Sequence, residues 1–418
     1  MIGVRKDQQS RTQVRESLYS LQHPDNSSMT ASKRNAISDT VYASRKHRPR
    51  CHGHKSNALF TLQDLVSMGN MAEARNGELQ KAVSLASESL KRKIITYCSN
   101  RDHNFWKALC SRIEKGKYTP APYRIHRIPK DEGNFREIYI RDNPEDRLVE
   151  RMIYLRIAPV LEKTLSHSAY AYRENVSMAQ MIGSIQQYRQ MGYNRAIKVD
   201  VSKFFDTIDQ AILKGELQKA LHPEPEAAVL LSKFISSRYK DPVTGNICTM
   251  RRGVAQGGIL APLLANFYCN PMDQVMESVP GISYYRYADD ILIISKDVQE
   301  AEYAYTVLKE ELDKLHLSVN EKKFISGTLT GMDVLGIRFA ENNSLSIHTV
   351  RLRKKLKEIY LEESPLKREQ KWIGLLQHYN NIDGNILANQ RILELIREES
   401  SNWSITFKLQ EILERHIR

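Results

Sequence analysis

The chain has 418 residues and 41% hydrophobic content, ordinary for a soluble protein and enough for a substantial core in two or three subdomains. Lys and Arg outnumber Asp and Glu by 62 to 49, a formal net charge of +13 with pI about 9.3, which points to a polyanionic partner rather than a neutral one. No long apolar span or basic amphipathic anchor argues for a membrane, the first residues lack the apolar core of a signal peptide, and five cysteines (Cys51, Cys98, Cys110, Cys248, Cys269) without paired spacing fit a reducing cytoplasm.

In chain order, residues 1–57 carry eleven Lys/Arg against four acids among Ser, Asn and Thr clusters, the pattern of a mobile basic arm that orders on RNA. Within it His47, Cys51, His52 and His54 lack the full four-ligand spacing of a structural zinc site. Residues 58–117 read as helices, with small, charged and apolar residues at helical intervals from Ala72 to Tyr97. Strands are expected from 118 to about 142, and helices from Arg147 to Arg189. A strand follows through Ile197, Val199 and Val201, then helical spacing over 209–238, where Asp209 is placed to cap a helix. A last helix is expected beyond Leu345, with Leu352, Leu356, Ile359 and Tyr360 as its apolar stripe and Arg351, Lys354, Lys355 and Lys357 as its charge.

Two stretches carry chemistry. In Tyr284 to Ile294, apolar and aromatic residues flank Asp289 and Asp290, which reads as two strands joined by a tight turn with the acids at its tip. Adjacent carboxylates repel and resist desolvation unless a cation sits on them, and magnesium takes carboxylate oxygens and substrate phosphates. Asp200 falls where the strand 196–201 ends and the chain turns into Ser202-Lys203-Phe204-Phe205. A carboxylate there, beside a hairpin with two more, meets the need of a nucleotidyl-transfer site with two ions about 3.5–4 Å apart.

These stretches, with others in the same order, resemble the bacterial reverse transcriptases of the group II intron-like kind. The matching blocks are Lys130 to Asp146 (with Gly133-Asn134-Phe135-Arg136), Ser168-Ala169-Tyr170-Ala171-Tyr172-Arg173, Asp200 to Asp209, Gly253 to Asn266, Tyr287 to Asp290, Leu317 to Lys323, and Leu335-Gly336-Ile337-Arg338-Phe339. The resemblance covers roughly residues 118–340 and implies an α/β (α+β) right-hand polymerase. Its fingers and palm would occupy 118–340 and a helical thumb 341–418, preceded by the 58–117 helices and the basic arm.

The resemblance also implies roles. Asp200 and Asp289 would hold two Mg2+ ions, with Asp290 and the Val201 position beside them. Phe205, five residues after Asp200, would be the ring that collides with a 2′-hydroxyl, and Phe204 would point the other way into the core if the segment is extended. Gln256 and Gly257 would line the nucleotide pocket, and Lys130 and Arg136 would contact the triphosphate. Lys323, or its neighbour Lys322, would neutralise or protonate pyrophosphate. Leu335 and Gly336 would lie in the primer grip.

The implied partners are an RNA template, a DNA or RNA primer and deoxynucleotides, with no membrane. Ala261 stands where the group II pattern has Ser, and Ala171 where it has Gly. Ala261-Pro262 departs from the Ser-Gln of diversity-generating enzymes, and the retron signatures Asn-Ala-x-x-His and Val-Thr-Gly do not occur at their expected places. With about eighty residues after the primer grip, a stand-alone, defence-associated enzyme acting on a structured non-coding RNA is the expectation. The rivals are a maturase-like RNA-binding protein without essential polymerase activity, retron-like cDNA synthesis, and an RNA polymerase, against which an aromatic at 205 argues.

Overall fold

Apolar residues at every position of 291–294, Ile-Leu-Ile-Ile, predict a strand covered on both faces. The computed structural model shows such a strand. It describes residues 59–375 apart from 84, 86, 100, 130–134, 342–343, 363–366, 369 and 373. The basic arm, the His47/Cys51/His52/His54 group, Lys130 and the residues after 375 therefore lie outside the described residues.

The chain is mixed α/β. Among the described residues four helices come first: α1 (Leu62–Leu65), α2 (Met68–Val83), α3 (Glu88–Ser99) and α4 (His103–Glu114). The antiparallel hairpin β1 (Tyr123–Pro129) and β2 (Phe135–Ile140) follows, then α5 (Pro144–Leu161) and α6 (Met178–Gln190). The starts of α5 and α6 have a chemical reason. Asn143 accepts from the Glu145 N–H ahead of Pro144, and Ser177 forms a capping box with Gln180. Between α5 and α6 runs an irregular stretch, 162–177, that holds the block 168–173.

Strand β3 (Arg195–Asp200) leads to the single turn α7 (Phe204–Thr207), then α8 (Gln210–Leu221), capped by Asp209, and α9 (Pro225–Ile235). Short strands β4 (Arg238–Lys240) and β5 (Ile247–Thr249) extend the first sheet in the order β2-β1-β4-β5. Helix α10 (Ala261–Ser278) precedes β6 (Ile282–Tyr287), β7 (Asp290–Ser295) and α11 (Val298–Lys314). Strand β8 (Ile325–Thr328) completes the central sheet, β6-β7-β3-β8, antiparallel throughout. A third sheet joins β9 (Asp333–Val334), β10 (Ile337–Phe339) and β11 (Leu345–Ile347) ahead of α12 (Thr349–Tyr360).

The central sheet is the hub. One face sends Ile197, Val199, Ile291 and Ile293 into a core with Leu264, Met272, Ala304 and Leu308 of α10 and α11, and that core also takes in Trp106, Phe60 and Val149. The other face sends Ala196, Leu292 and Ile294 into a second core with Met181 and Ile185 of α6, Phe339 of β10 and Leu352 and Leu356 of α12. Side chains alternate along a strand, so Asp200 and Asp290 share the second face and emerge where its apolar cover ends. Among the described residues no helix is long and apolar enough to cross a membrane.

Candidate active site

The hairpin β6–β7 closes through two residues, Ala288 and Asp289, with Tyr287 paired to Asp290. Two-residue hairpin turns need positive φ at their first position, and Ala288 supplies it at φ +59°. A buried network holds that conformation. Arg286, 1% exposed, donates from Nε to Asp273 Oδ1 (2.8 Å), from Nη2 to Asp273 Oδ2 (2.5 Å) and from Nη1 to Asn266 Oδ1 (3.0 Å), and it reaches the Ala288 carbonyl at 3.3 Å. Tyr284 adds a hydrogen bond to Asp273 at 2.8 Å. The ion pair is therefore fully desolvated and satisfied by a bidentate fork.

Asp200 and Asp290 are direct cross-strand partners, and the Val201 N–H donates to the Asp289 carbonyl at 3.0 Å. The backbone thus brings Asp200, Val201, Asp289 and Asp290 together. Burial raises the carboxyl pKa of Asp289, and the charges of Asp290 and Asp200 raise it further. Burial also raises that of Asp290, partly offset by Lys198 and increased by Asp200. Asp200, 7% exposed, is engaged at both oxygens: Lys323 Nζ donates to Oδ1 at 2.7 Å and Asn320 Nδ2 to Oδ2 at 3.0 Å. Of the two adjacent lysines, Lys323 is the one on the carboxylate. Asn320 lies in the block 317–323 singled out from the sequence, which gave it no role of its own.

Three carboxylates on neighbouring backbone positions supply the hard oxygen donors that a hard divalent cation takes, so the residue types fit magnesium chemically. Among the described residues no three His, Cys, Asp or Glu side chains already converge on one point. Here Asp200 is turned to Lys323 and Asn320, so cation binding requires Lys323 to share or release it.

The remaining candidates divide into two groups. Phe205 and the loop 253–258 belong to this region. The Val254 N–H donates to the Phe205 carbonyl (2.8 Å) and the Tyr139 N–H to the Gln256 carbonyl (2.8 Å), so the loop ties α7 to β2. Gly257 has φ +111°, and a Cβ there would stand 2.8 Å from the Tyr139 carbonyl, so this contact between loop and strand needs glycine. Arg136 lies on β2, exposed, three residues before Tyr139.

Leu335 and Gly336 form the second group, in the turn between β9 and β10, at φ +55° and +92°. Leu335 is buried in the second core, and its turn connects to β3 through Lys198, whose Nζ donates to the Asp333 carbonyl at 2.9 Å.

The extended geometry expected at Phe204-Phe205 is replaced by the turn α7. The Asp206 and Thr207 N–H groups donate to the Lys203 carbonyl, with Lys203 at φ +45°. Phe204 is buried and Phe205 half-buried all the same.

Residues 128–339, about half of the chain, match the family described as reverse transcriptase (RNA-dependent DNA polymerase), and the chain belongs to that family. The matched domain is that of an RNA-directed DNA polymerase. The chain is 27% identical over 277 residues to Protein YkfC of Escherichia coli, covering 56% of this chain and 71% of that protein. It is 25% identical over 170 residues to the group II intron-encoded protein LtrA of Lactococcus lactis, covering 40% of this chain and 27% of LtrA. Over 220 residues it is 24% identical to the retron Ec48 reverse transcriptase of E. coli, covering 48% of each chain.

Proposed function

We propose that the protein copies an RNA template into DNA, with β1–β2 and the 253–258 loop as fingers, the central sheet as palm and α12 at the start of the thumb. The observation that carries this reading is the direct pairing of Asp200 with Asp290 beside the strained Ala288-Asp289 turn. Two Mg2+ ions, held by Asp200 and Asp289 with Asp290 and the Val201 carbonyl beside them, would supply Lewis-acid activation of the primer 3′-hydroxyl and neutralise charge at the leaving group.

The chain's own residues do the rest. Arg136 grips the triphosphate as a guanidinium fork, and Gln256 and Gly257 let the backbone approach the nucleotide. Phe205 walls the sugar, and Leu335 and Gly336 seat the primer strand. Lys323 compensates the Asp200 charge and, being 61% exposed, is placed to move onto the pyrophosphate. The net charge of +13 supports a nucleic-acid groove with salt-sensitive affinity. Primer extension on an oligo(dT)-primed poly(rA) template with Mg2+ tests the reading. Incorporation of dTTP is expected, and RNA binding without incorporation would leave the maturase-like reading instead.

The biological role we propose is phage defence on a structured non-coding RNA. It is supported by the group II-like blocks together with Ala261-Pro262 in place of the diversity-generating Ser-Gln. Equal plaque counts on cells carrying the wild type and Asp289→Ala/Asp290→Ala would remove that role and leave the polymerase reading standing.

A further inference from the structure

We propose that Tyr172 is a specificity-determining residue: it braces Phe205, so that discrimination against a 2′-hydroxyl is made by a row of rings. The inference rests on the reading of Phe205 as the wall under the sugar. Three aromatic rings run outward from the core. Phe204 and Phe205 have centroids 5.3 Å apart at 63°, and Phe205 and Tyr172 have centroids 6.4 Å apart, also at 63°. Phe204 is buried, Phe205 is half-buried, and Tyr172 is 50% exposed.

A tyrosine half in water is not held there by core packing, and its backbone is not relaxed either. Tyr172 sits at φ +61°, the left-handed region that a bulky side chain disfavours. Both of its neighbours are pinned. Asn266 Nδ2 donates to the Ala171 carbonyl at 2.6 Å. Arg173 Nη1 donates to the Ser166 and Ala169 carbonyls at 2.7 and 3.1 Å, and its Nε to Glu162 at 3.0 Å. Asn266 is itself fixed by Arg286, the residue that holds the Ala288 carbonyl beneath the catalytic turn. One buried guanidinium therefore sets the positions of both the acids and Tyr172. Strain that the surroundings over-determine, at a site of chemistry, is the mark of a functional position.

The physical role follows from what Phe205 lacks. It stands on a helix of one turn, supported toward the core by Phe204. Without Tyr172 it keeps its packing toward the core but loses the ring contact on its outer side, and can rotate outward, opening space under the sugar. Loss of one wall contact in a pocket changes discrimination by roughly 10–200-fold.

The test measures kcat/KM for dATP and for ATP on an oligo(dA)-primed poly(rU) template, with the full chain and three variants. Phe205→Ala should lower the dATP/ATP ratio most. Tyr172→Gly should lower it by roughly tenfold, the low end for one contact, at unchanged or raised Tm, because glycine adopts this φ freely. Tyr172→Phe should restore the wild-type ratio, since a ring suffices. A wild-type ratio in Tyr172→Gly, or equal loss on both nucleotides, would overturn the brace while leaving the wall at Phe205 intact. A wild-type ratio in Phe205→Ala would remove the wall and the brace together. No dATP incorporation by the wild type would remove the polymerase reading beneath them.

Discussion

Two tight hairpin turns in this protein are both strained, and they are supported in opposite ways. Ala288, at φ +59°, is held by Arg286, whose partner Asp273 is 0% exposed. Leu335, at φ +55°, precedes Gly336, whose N–H donates to Asp333 Oδ1 at 2.7 Å, and Asp333 is a half-buried carboxylate with His348 and Arg351 3.8 Å away. The first turn is locked by a desolvated ion pair with a fixed geometry. The second is steered by charges in partial contact with water, which adapt. The turn that carries Asp289 and Asp290 has the first kind of support, and the turn proposed to seat the primer strand has the second.

The contrast is broken most completely at the acids themselves. Asp289→Ala with Asp290→Ala should cut primer extension in Mg2+ by more than about a hundredfold, since metal-held charge contributes several kcal/mol to the transition state. RNA binding, read by filter retention, should persist. Wild-type incorporation by this variant would end the assignment.

The next largest effect falls on the lock. Arg286→Ala leaves Asp273 buried and uncompensated, and should cost about 3–5 kcal/mol in urea unfolding. Arg286→Met combined with Asp273→Leu should recover most of that loss. A single variant as stable as wild type would show that the pair locks nothing.

Asp333→Ala removes a charged acceptor from a half-buried turn and should cost about 1–2 kcal/mol by the same measurement. A loss as large as that of Arg286→Ala would erase the distinction between the two turns.

The smallest effect is a pH dependence. Asp289 and Asp290 have folded-state pKa values raised above 3.8 by burial first and then by neighbouring carboxylates, Asp290 and Asp200 acting on Asp289 and Asp200 acting on Asp290. Below 3.8 both the folded and unfolded states are protonated and no penalty is felt. The penalty grows between 3.8 and the raised folded values and is full above them. Asp289→Asn with Asp290→Asn should therefore raise Tm at neutral pH in the presence of a chelator, with the gain vanishing as pH falls below 3.8. A gain that persists in acid would mean the carboxylates are not the source of the penalty.

Much of the site was legible because its signals are local. Alternation to Asp200, apolar runs on both sides of Asp289-Asp290, and a capping position at Asp209 each depend on neighbours a few residues away. What sequence reasoning left open or missed is non-local. The choice of Lys323 over Lys322 depends on Asp200, 123 residues earlier. Tyr172 owes its backbone to Asn266, 95 residues after Ala171. The turn α7 is too short for periodicity to register, and its Phe205 carbonyl is tied to Val254. The one available signal was Arg286 itself, a lone charge inside a strand of buried aromatics, which calls for a buried partner.

That lone charge constrains how the sequence can drift. Arg286 serves a carboxylate fork, a side-chain amide and a backbone carbonyl at once. A lysine, with one compact ammonium, cannot reproduce that fork. Neither Arg286 nor Asp273 can be lost alone without stranding its partner. Relatives with a working hairpin should keep both or exchange both together, so positions 273 and 286 should co-vary across an alignment as a single inherited character.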